Sequence, residues 1–290
     1  MIPGLAAGSL LLVLVSALSW AGFDLLRKLL ARTMGPLPLM ALLCLASAPP
    51  FALWAAFEGG FAVQPGYWVP ALGSVLLNVA ANLLFLEALR TGELSVAVPL
   101  LSLTPAFAAL VSIPLLGERP SWIDGCGIAL VIAGAFVLRP PGGTGKLAEA
   151  GRRGLWLMAG TALLWSLTIP LDKLAVTRAH PPLHALVLNL GVAAAALVLL
   201  AHRRELSRLA EISRSPWVFL AALGVSAVAL GAQLAALQTV WVSVVETLKR
   251  TIGNLSAVVV GRIAFGEAIT PRKLAAVFLM AGGVALILLL

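Results

Sequence analysis

The sequence has little charge for its length, and this shortage excludes a soluble globular domain. Charged residues make up 11% of the 290 residues, whereas about a quarter of a soluble domain is charged. Hydrophobic residues make up 61%, and the mean hydropathy is +1.03. The composition therefore predicts an all-α integral membrane protein that crosses the lipid bilayer several times.

Cysteine and histidine are also scarce, which limits metal and redox chemistry. Cys44 and Cys126 each lie in an apolar run, with no partner at a metal or redox spacing. The three histidines are expected in loops, where two prolines break any helical pairing of ligands. They are His180, His184 and His202. We predict no metal, no cofactor and no catalytic residue, and therefore no enzyme.

Nucleic acid and nucleotide partners are not expected either. The net charge is +8, but the basic residues are scattered between apolar runs and form no single stripe with interleaved aromatics. The segment GGTGK at 142–146 lacks the earlier glycine, the following Ser or Thr and the preceding strand of a phosphate-binding loop. A cleaved signal peptide is not expected, because no basic region precedes the first apolar run.

Ten apolar segments reach the length of about 20 residues that a membrane-crossing helix needs. The first five are 9–30, 36–57, 68–89, 94–116 and 122–138. The second five are 154–176, 183–201, 216–238, 242–265 and 272–290. The sequence thus predicts ten transmembrane helices.

The two sets of five segments repeat each other. Trp20 and Lys28 in the first span recur as Trp165 and Lys173 in the sixth, with the same separation. We predict a first repeat at 1–138, a cytoplasmic linker rich in Pro, Gly and charge at 139–153, and a second repeat at 154–290. Because each repeat has an odd number of spans, the two insert with opposite orientations.

Basic residues in short loops predict the orientation, since they mark the cytoplasmic side. Nearly all of them fall on one side of the ten spans, and the other side has little beyond Arg119 and Arg178. Both termini are therefore expected on the outer side. The segment 202–215 spaces Leu206, Leu209 and Ile212 by threes between arginines, which favours a short helix on the inner leaflet.

Together, the two-by-five layout, the repeated Trp and Lys, and the endings Pro-Leu-Leu-Gly-Glu (114–118) and Phe-Gly-Glu (265–267) resemble the drug/metabolite transporter superfamily, in its EamA-like branch. The resemblance covers almost the whole chain. It implies a secondary carrier of the bacterial-type inner (plasma) membrane that takes a small-molecule substrate. Lys249 and Arg250 are similar to the pair with which phosphate translocators hold a sugar phosphate, but a further basic residue of those carriers has no clear match here.

The ninth span carries the sharpest candidates for substrate binding. Glu246, Lys249, Arg250 and Asn254 share one stripe of a helix, and ionisable groups in a span mark a functional site by default. A guanidinium and an ammonium side by side suit one anionic group. Alternatively, Glu246 neutralises Arg250 and the set stabilises the bundle. Glu246 is also a candidate for holding a substrate ammonium or for proton coupling.

Polar and aromatic residues of other spans complete the predicted substrate site. Asn78 and Asn82 share a face of the third span and are expected either to line the cavity or to bond another helix. Gln233 is a similar case in the eighth span. Trp20 and Trp165 lie inside their spans, where an indole either contacts substrate or packs between helices.

Lys28 and Lys173 are candidate gate residues, because the inversion places them toward opposite membrane faces. Asp24 is expected to neutralise Lys28, and Asp172 precedes Lys173. The alternative is that both lysines snorkel to the interface.

The expected function is export of a small polar metabolite, anionic or carboxylate-bearing such as an amino acid, by alternating access. Exchange of phosphorylated or organic-anion substrates is an alternative within transport. A membrane-embedded lipid-modifying enzyme and a non-transporting scaffold are alternatives of other classes. The sequence leaves open the solute, the coupling ion and the oligomeric state.

Overall fold

The computed structural model describes residues 7–58, 60–91, 94–104, 107, 122–138, 146–240 and 242–288. Within these ranges the chain is helical apart from turns and one isolated β-bridge, between Val63 and Ala179. The α-helices are α1 (Ala7–Ala31), α2 (Pro36–Glu58), α3 (Trp68–Thr91), α4 (Leu94–Leu100), α5 (Trp122–Leu138), α6 (Lys146–Val176), α7 (Pro181–His202), α8 (Pro216–Thr239), α9 (Val242–Phe265) and α10 (Pro271–Leu288). A 3-10 helix covers Leu206–Arg214.

Six of these helices are long and apolar enough to cross a membrane: α1, α2, α3, α6, α7 and α8. The all-helical prediction is confirmed, whereas ten complete spans remain a prediction. The fourth predicted span, 94–116, departs from it most clearly in its described part. After Pro99 the backbone bonds tighten to a spacing of three residues, and α4 ends at Leu100, because proline lacks the N–H that an α-helix needs there.

Proline and glycine also fix several helix ends. Helices α2, α7, α8 and α10 each begin with proline, whose φ suits the first helical position and whose missing N–H costs nothing there. Helix α9 ends at Gly266, which has a φ of +68° that only glycine adopts readily. The N–H of Glu267 then bonds Gly261 O at 3.0 Å. This turn carries Glu267 back toward α1.

The two halves of the chain make equivalent packing contacts. Helix α3 packs along α6, and α8 packs along α1. Exchanging the two halves, so that α1 replaces α6 and α3 replaces α8, converts the first contact into the second. Helices α2 and α7 pack together, as do α5 and α10, and each of these pairs maps onto itself under the same exchange.

Contacts between loops define two ends of the helix bundle. We call the end that holds loops 32–35, 203–215 and 266–270 the basic end. The opposite end holds the Val63–Ala179 bridge and a hydrogen bond between the hydroxyl groups of Ser9 and Thr239. Helices that start or finish at the basic end bring most of the described basic residues there: Arg32, Arg90, Arg153, Arg203, Arg204, Arg208, Arg214, Arg262, Arg272 and Lys273.

The predicted surface helix at 202–215 is present as the 3-10 helix at Leu206–Arg214. With three residues per turn, this form places Leu206, Leu209 and Ile212 on one side, and the last two pack on the main core. Glu211 ties the helix to the loop after α1, because its carboxylate accepts the N–H of Gly35 at 3.0 Å.

The pKa of Glu211 is set by opposing effects. Partial burial acts to raise it, but the Gly35 hydrogen bond and the Arg208 guanidinium outweigh burial and hold it below its usual range. The Arg208 Nε lies 3.0 Å from Glu211 Oε1. The ionised form of Glu211 therefore stabilises the attachment of the 3-10 helix.

One expectation about local structure is wrong. His184 lies inside α7 and is fully buried, whereas a loop was expected; the two prolines before it start the helix instead of breaking it. Helix α6 contains Pro170 and continues through it.

Candidate functional site

One cavity of about 170 Å³ lies between the two halves of the chain. Its walls come from α1, α2, α3, α4, α6, α7, α8 and α9. The structure brings eight of the nine predicted substrate-binding residues to this cavity: Trp20, Asn78, Asn82, Trp165, Gln233, Lys249, Arg250 and Asn254. The ninth, Glu246, has its backbone in α9, and its side chain lies outside the described part of the chain.

Helix α9 places three polar residues on the cavity wall. Arg250 is buried, with 8% of its surface exposed. Lys249 Nζ donates to Gln233 Oε1 at 3.1 Å and lies 5.8 Å from the centre of the Trp20 ring. Asn254 Nδ2 donates to Ser102 Oγ at 2.7 Å, just beyond the end of α4. The break in α4 thus supplies a hydroxyl that fixes one half of the Asn254 amide.

The two repeated tryptophans have different hydrogen-bonding states. Trp165 Nε1 donates to Asn78 Oδ1 at 3.2 Å. Trp20 Nε1 is buried and makes no hydrogen bond within the described residues, and the same holds for Asn254 Oδ1. Since buried polar atoms are normally satisfied, these two atoms offer a donor and an acceptor to a solute in the cavity.

The asparagines of α3 serve both of their expected uses. Asn78 bonds Trp165 across helices, and Asn82 Nδ2 donates to Asn78 O at 2.9 Å on its own helix. Both side chains also line the cavity. Asn189 of α7 lines it too and bonds Ala185 O at 2.8 Å; nothing in the sequence had singled it out.

Arg27 is a cavity residue that sequence analysis missed. It is buried, with 4% exposed, and it forms an ion pair with Asp24. Its guanidinium carbon lies 4.4 Å from the centre of the Phe23 ring and 4.2 Å from that of Phe85, close enough for cation–π attraction. The expectation that Asp24 neutralises Lys28 is therefore wrong, because Arg27 lies one residue nearer on the same helix face and takes the carboxylate.

A second missed group extends from the cavity toward the opposite end. Asp172 lines the cavity, and its Oδ1 accepts from the Ser74 hydroxyl and lies 3.2 Å from His184 Nε2. His184 Nδ1 in turn lies 3.1 Å from the Tyr67 hydroxyl. Asp172 was noted in the sequence only as the neighbour of Lys173. Ser74, Tyr67 and His184 gave no signal, because they come together only when α3, α6 and α7 pack.

The two gate candidates do not line the cavity. Lys28, in the last turn of α1 at the basic end, is buried and lies 2.9 Å from Glu267 Oε1. This pairing favours the gate prediction over the snorkelling alternative, because the Lys28 ammonium is bonded within the protein. Lys173 is half-buried in the last turn of α6, at the opposite end. The two lysines therefore mark opposite ends of the bundle.

A bundle of membrane-crossing helices around a charged, aromatic-lined cavity is the architecture of a membrane transporter of small solutes. The chain belongs to the EamA-like transporter family, whose model matches twice, over residues 7–139 and 152–289. This membership supports the resemblance to the drug/metabolite transporter superfamily. The two matches correspond to the two halves whose packing contacts are equivalent.

Comparison with solved structures supports the fold. A crystal structure of a protein superposes with a TM-score of 0.70 over 97% of this chain and 98% of its own chain, at 18% sequence identity. At that identity the likeness concerns the fold alone. No curated protein matches the chain.

Proposed function

We propose that the protein exports a small carboxylate-bearing metabolite, such as an amino acid, across a bacterial-type inner membrane. The observation that carries this proposal is the cavity itself, where the cations Arg27, Lys249 and Arg250 meet the carboxylates of Asp24 and Asp172. Ionised groups within a membrane are costly unless they pair or contact a polar ligand. A cavity with both signs of charge suits a solute that also carries both.

Lys249 and Arg250 are the proposed contacts for the solute's carboxylate. They are adjacent on α9, and a guanidinium fork beside an ammonium allows one carboxylate to be approached from two directions. Nε1 of Trp20 and Oδ1 of Asn254, which have no hydrogen-bond partner in the described part of the chain, add a donor and an acceptor. The indole and phenyl rings on the cavity wall then leave an apolar surface for the rest of the solute.

Alternating access is proposed to move the two repeats, 1–138 and 154–290, about this cavity as inverted units joined by the linker 139–153. The equivalent packing contacts of the halves support this proposal. The arginines at the basic end favour a cytoplasmic location for that end. The termini and Lys173 then lie on the outer side, and Lys28 with Glu267 is the proposed inner gate.

Exchange of a phosphorylated or organic-anion substrate is a second candidate. The third cavity cation, Arg27, favours it, since a phosphate carries more charge than a carboxylate. However, Arg27 is already paired with Asp24, and Asp172 adds a further negative charge to the wall. These two carboxylates favour a zwitterionic solute over a multiply charged anion.

The test is counterflow in liposomes that contain the purified protein, with a panel of radiolabelled amino acids, sugar phosphates and nucleosides. We expect labelled amino acid to enter liposomes preloaded with the same unlabelled amino acid, and not liposomes without protein. Entry of sugar phosphates alone would support the second candidate. If no solute moves while a lipid substrate is converted, the carrier proposal fails.

A further inference from the structure

Tyr67, His184, Asp172 and Ser74 form a hydrogen-bonded chain that does not include the cavity cations Arg27, Lys249 and Arg250. One member of this chain, Asp172, nevertheless lines the cavity. Asp172 lines the cavity with 5% of its surface exposed, whereas Tyr67, Ser74 and His184 are fully buried behind it. A carboxylate on a cavity wall that is backed by a buried histidine is more than helix packing requires. Such a pair offers a place for a proton and for a cationic group of a solute.

We propose that Asp172, supported by His184, alternately binds the ammonium group of the transported solute and the proton that drives its export. This inference rests on the proposed transport of an amino acid and assigns the second charged group of that solute. The carboxylate would bind Lys249 and Arg250, on α9, and the ammonium group on the same carbon would bind Asp172, on α6, which lines the same cavity.

The four hydrogen-bonded side chains can hold one additional proton without losing a hydrogen bond. With a neutral imidazole, His184 Nε2–H donates to Asp172 Oδ1, and Nδ1 accepts from the Tyr67 hydroxyl. When a proton from water in the cavity is added, the imidazole donates from both nitrogens and the Tyr67 hydroxyl turns to accept. The added proton is shared across the hydrogen bond between His184 and Asp172, so it belongs to the pair.

Binding of the ammonium group and binding of the proton then exclude each other. An ammonium beside Asp172 adds a positive charge that disfavours an imidazolium at 3.2 Å from the same carboxylate. The pair therefore releases its proton to water when the solute binds, and takes one up again from the other side of the membrane when the solute has left. An inward proton gradient would thus drive the solute outward.

Ser74 connects this pair to an aromatic wall of the cavity. The Ser74 hydroxyl donates to Asp172 and accepts from Asn78 Nδ2 at 3.2 Å, and Asn78 Oδ1 accepts from Trp165 Nε1. A change in the charge of Asp172 is therefore transmitted to the Trp165 indole through the hydrogen bonds of Ser74 and Asn78. The other charged or titratable groups near this pair are the Tyr67 hydroxyl, which bonds His184, and Lys173, the next residue on α6. Asp24 and Arg27 on α1 and Lys249 and Arg250 on α9 line the same cavity as Asp172.

The experiment measures leucine binding by the purified full-length protein between pH 5 and 8, the range in which a histidine titrates. Isocaproate, which is leucine without its ammonium group, is the competitor that cannot use Asp172. At pH values low enough to protonate the pair, we expect leucine affinity to fall about tenfold for each further unit of decreasing pH. The reason is that the proton must leave before the leucine ammonium can bind. Isocaproate affinity should not fall. In weakly buffered solution, leucine should release up to one proton per bound molecule.

The conservative variants Asp172→Asn and His184→Gln test the assignment. Asp172→Asn retains an oxygen for Ser74 and His184, and it should abolish proton release and the preference for leucine over isocaproate. His184→Gln should retain that preference but change the dependence of leucine binding on pH, because glutamine cannot take up the proton that the imidazole holds. The same change at the exposed His180 should have no effect.

Several outcomes would overturn the inference. They are leucine binding that does not depend on pH in the wild type, or proton release that persists in Asp172→Asn. Absence of leucine binding at every pH would also contradict it. Counterflow of another solute would still leave the carrier proposal standing, whereas its complete absence for the whole panel would remove that proposal too.

Discussion

Arg27 and Asp172 occupy the same position in the two halves of the chain and bring opposite charges to one cavity. Each follows the repeated tryptophan by seven residues and precedes the repeated lysine. Arg27 pairs with Asp24 between aromatic rings, whereas Asp172 bonds His184 and Ser74. The symmetry of the repeats is thus broken in charge at the cavity, where one repeat contributes an arginine and the other an aspartate at the equivalent position.

Replacing Arg250 should weaken solute binding. Hydrogen bonds to charged groups contribute about 1.5–3 kcal/mol, so Arg250→Ala should raise the KM for leucine counterflow by about 10-fold to 100-fold. Arg250→Lys keeps the charge but loses the planar fork, and an intermediate effect is expected. The control is Arg178→Ala in the loop at the opposite end. An unchanged KM in Arg250→Ala would mean that the carboxylate binds elsewhere.

The two tryptophans should respond differently to the same change. Trp20→Phe removes an indole N–H with no described partner, so it should reduce leucine affinity by up to about tenfold while leaving the melting temperature nearly unchanged. Trp165→Phe removes the bond to Asn78 and should lower the melting temperature of the ligand-free protein by about 2–4 °C. Equal effects of both variants on affinity and stability would count against this division of roles.

Breaking the ion pair between Lys28 and Glu267 should open the basic end. The native thiol of Cys44 lines the cavity and can report access in a Cys126→Ser background. Glu267→Gln should raise the rate at which a membrane-impermeant thiol reagent labels Cys44 from the basic end by about tenfold or more, because a buried ion pair loses one partner. The same change at exposed Glu58, at the other end, is the matched control. A labelling rate that stays at the wild-type value would exclude this pair as a gate.

The attachment of the 3-10 helix should depend on pH through Glu211. Its folded-state pKa lies below its unfolded value of about 4.3. The stabilisation is therefore present above the unfolded pKa and is lost as pH falls through the folded pKa. Glu211→Gln should melt about 2–4 °C below wild type at pH 7, and the difference should shrink as pH falls below about 4. A difference that is constant with pH would contradict the ionised contact.

Adjacent glycines of α10 offer a matched test of helix packing. A Cβ at Gly283 would lie 2.6 Å from Gly127 O and 2.8 Å from Val131 N on α5, whereas one at Gly282 would meet open space. Gly283→Ala should therefore destabilise the protein by about 1–3 kcal/mol. Gly282→Ala should be neutral or slightly stabilising, since alanine favours a helix. Equal melting temperatures of the two variants would show that α5 and α10 pack less closely.

Much of the fold could be predicted from the sequence, because apolar length and proline placement are local signals. The predicted bounds of the helices lie within a few residues of the observed ones for α1, α2, α3, α8 and α9. One local signal was misleading, because tertiary packing decides the structure there. The prolines before His184 suggested a loop but begin α7.

The candidate site could be predicted only in part. Lys249, Arg250 and the repeated tryptophans stand out in a hydrophobic chain, and all four line the cavity. Arg27 was overlooked beside Lys28, although the register of the repeat pairs it with Asp172. The contacts of Asp172 with His184 and Tyr67 join residues far apart in sequence, and no local pattern predicts such a meeting.

The most direct test of the central claim is a crystal structure of the protein with bound leucine. We predict leucine in the cavity, with its carboxylate oxygens at about 2.7–3.2 Å from the Lys249 ammonium or the Arg250 guanidinium. Its ammonium group should face Asp172. Leucine bound outside this cavity, or with its carboxylate away from both cations, would contradict the account.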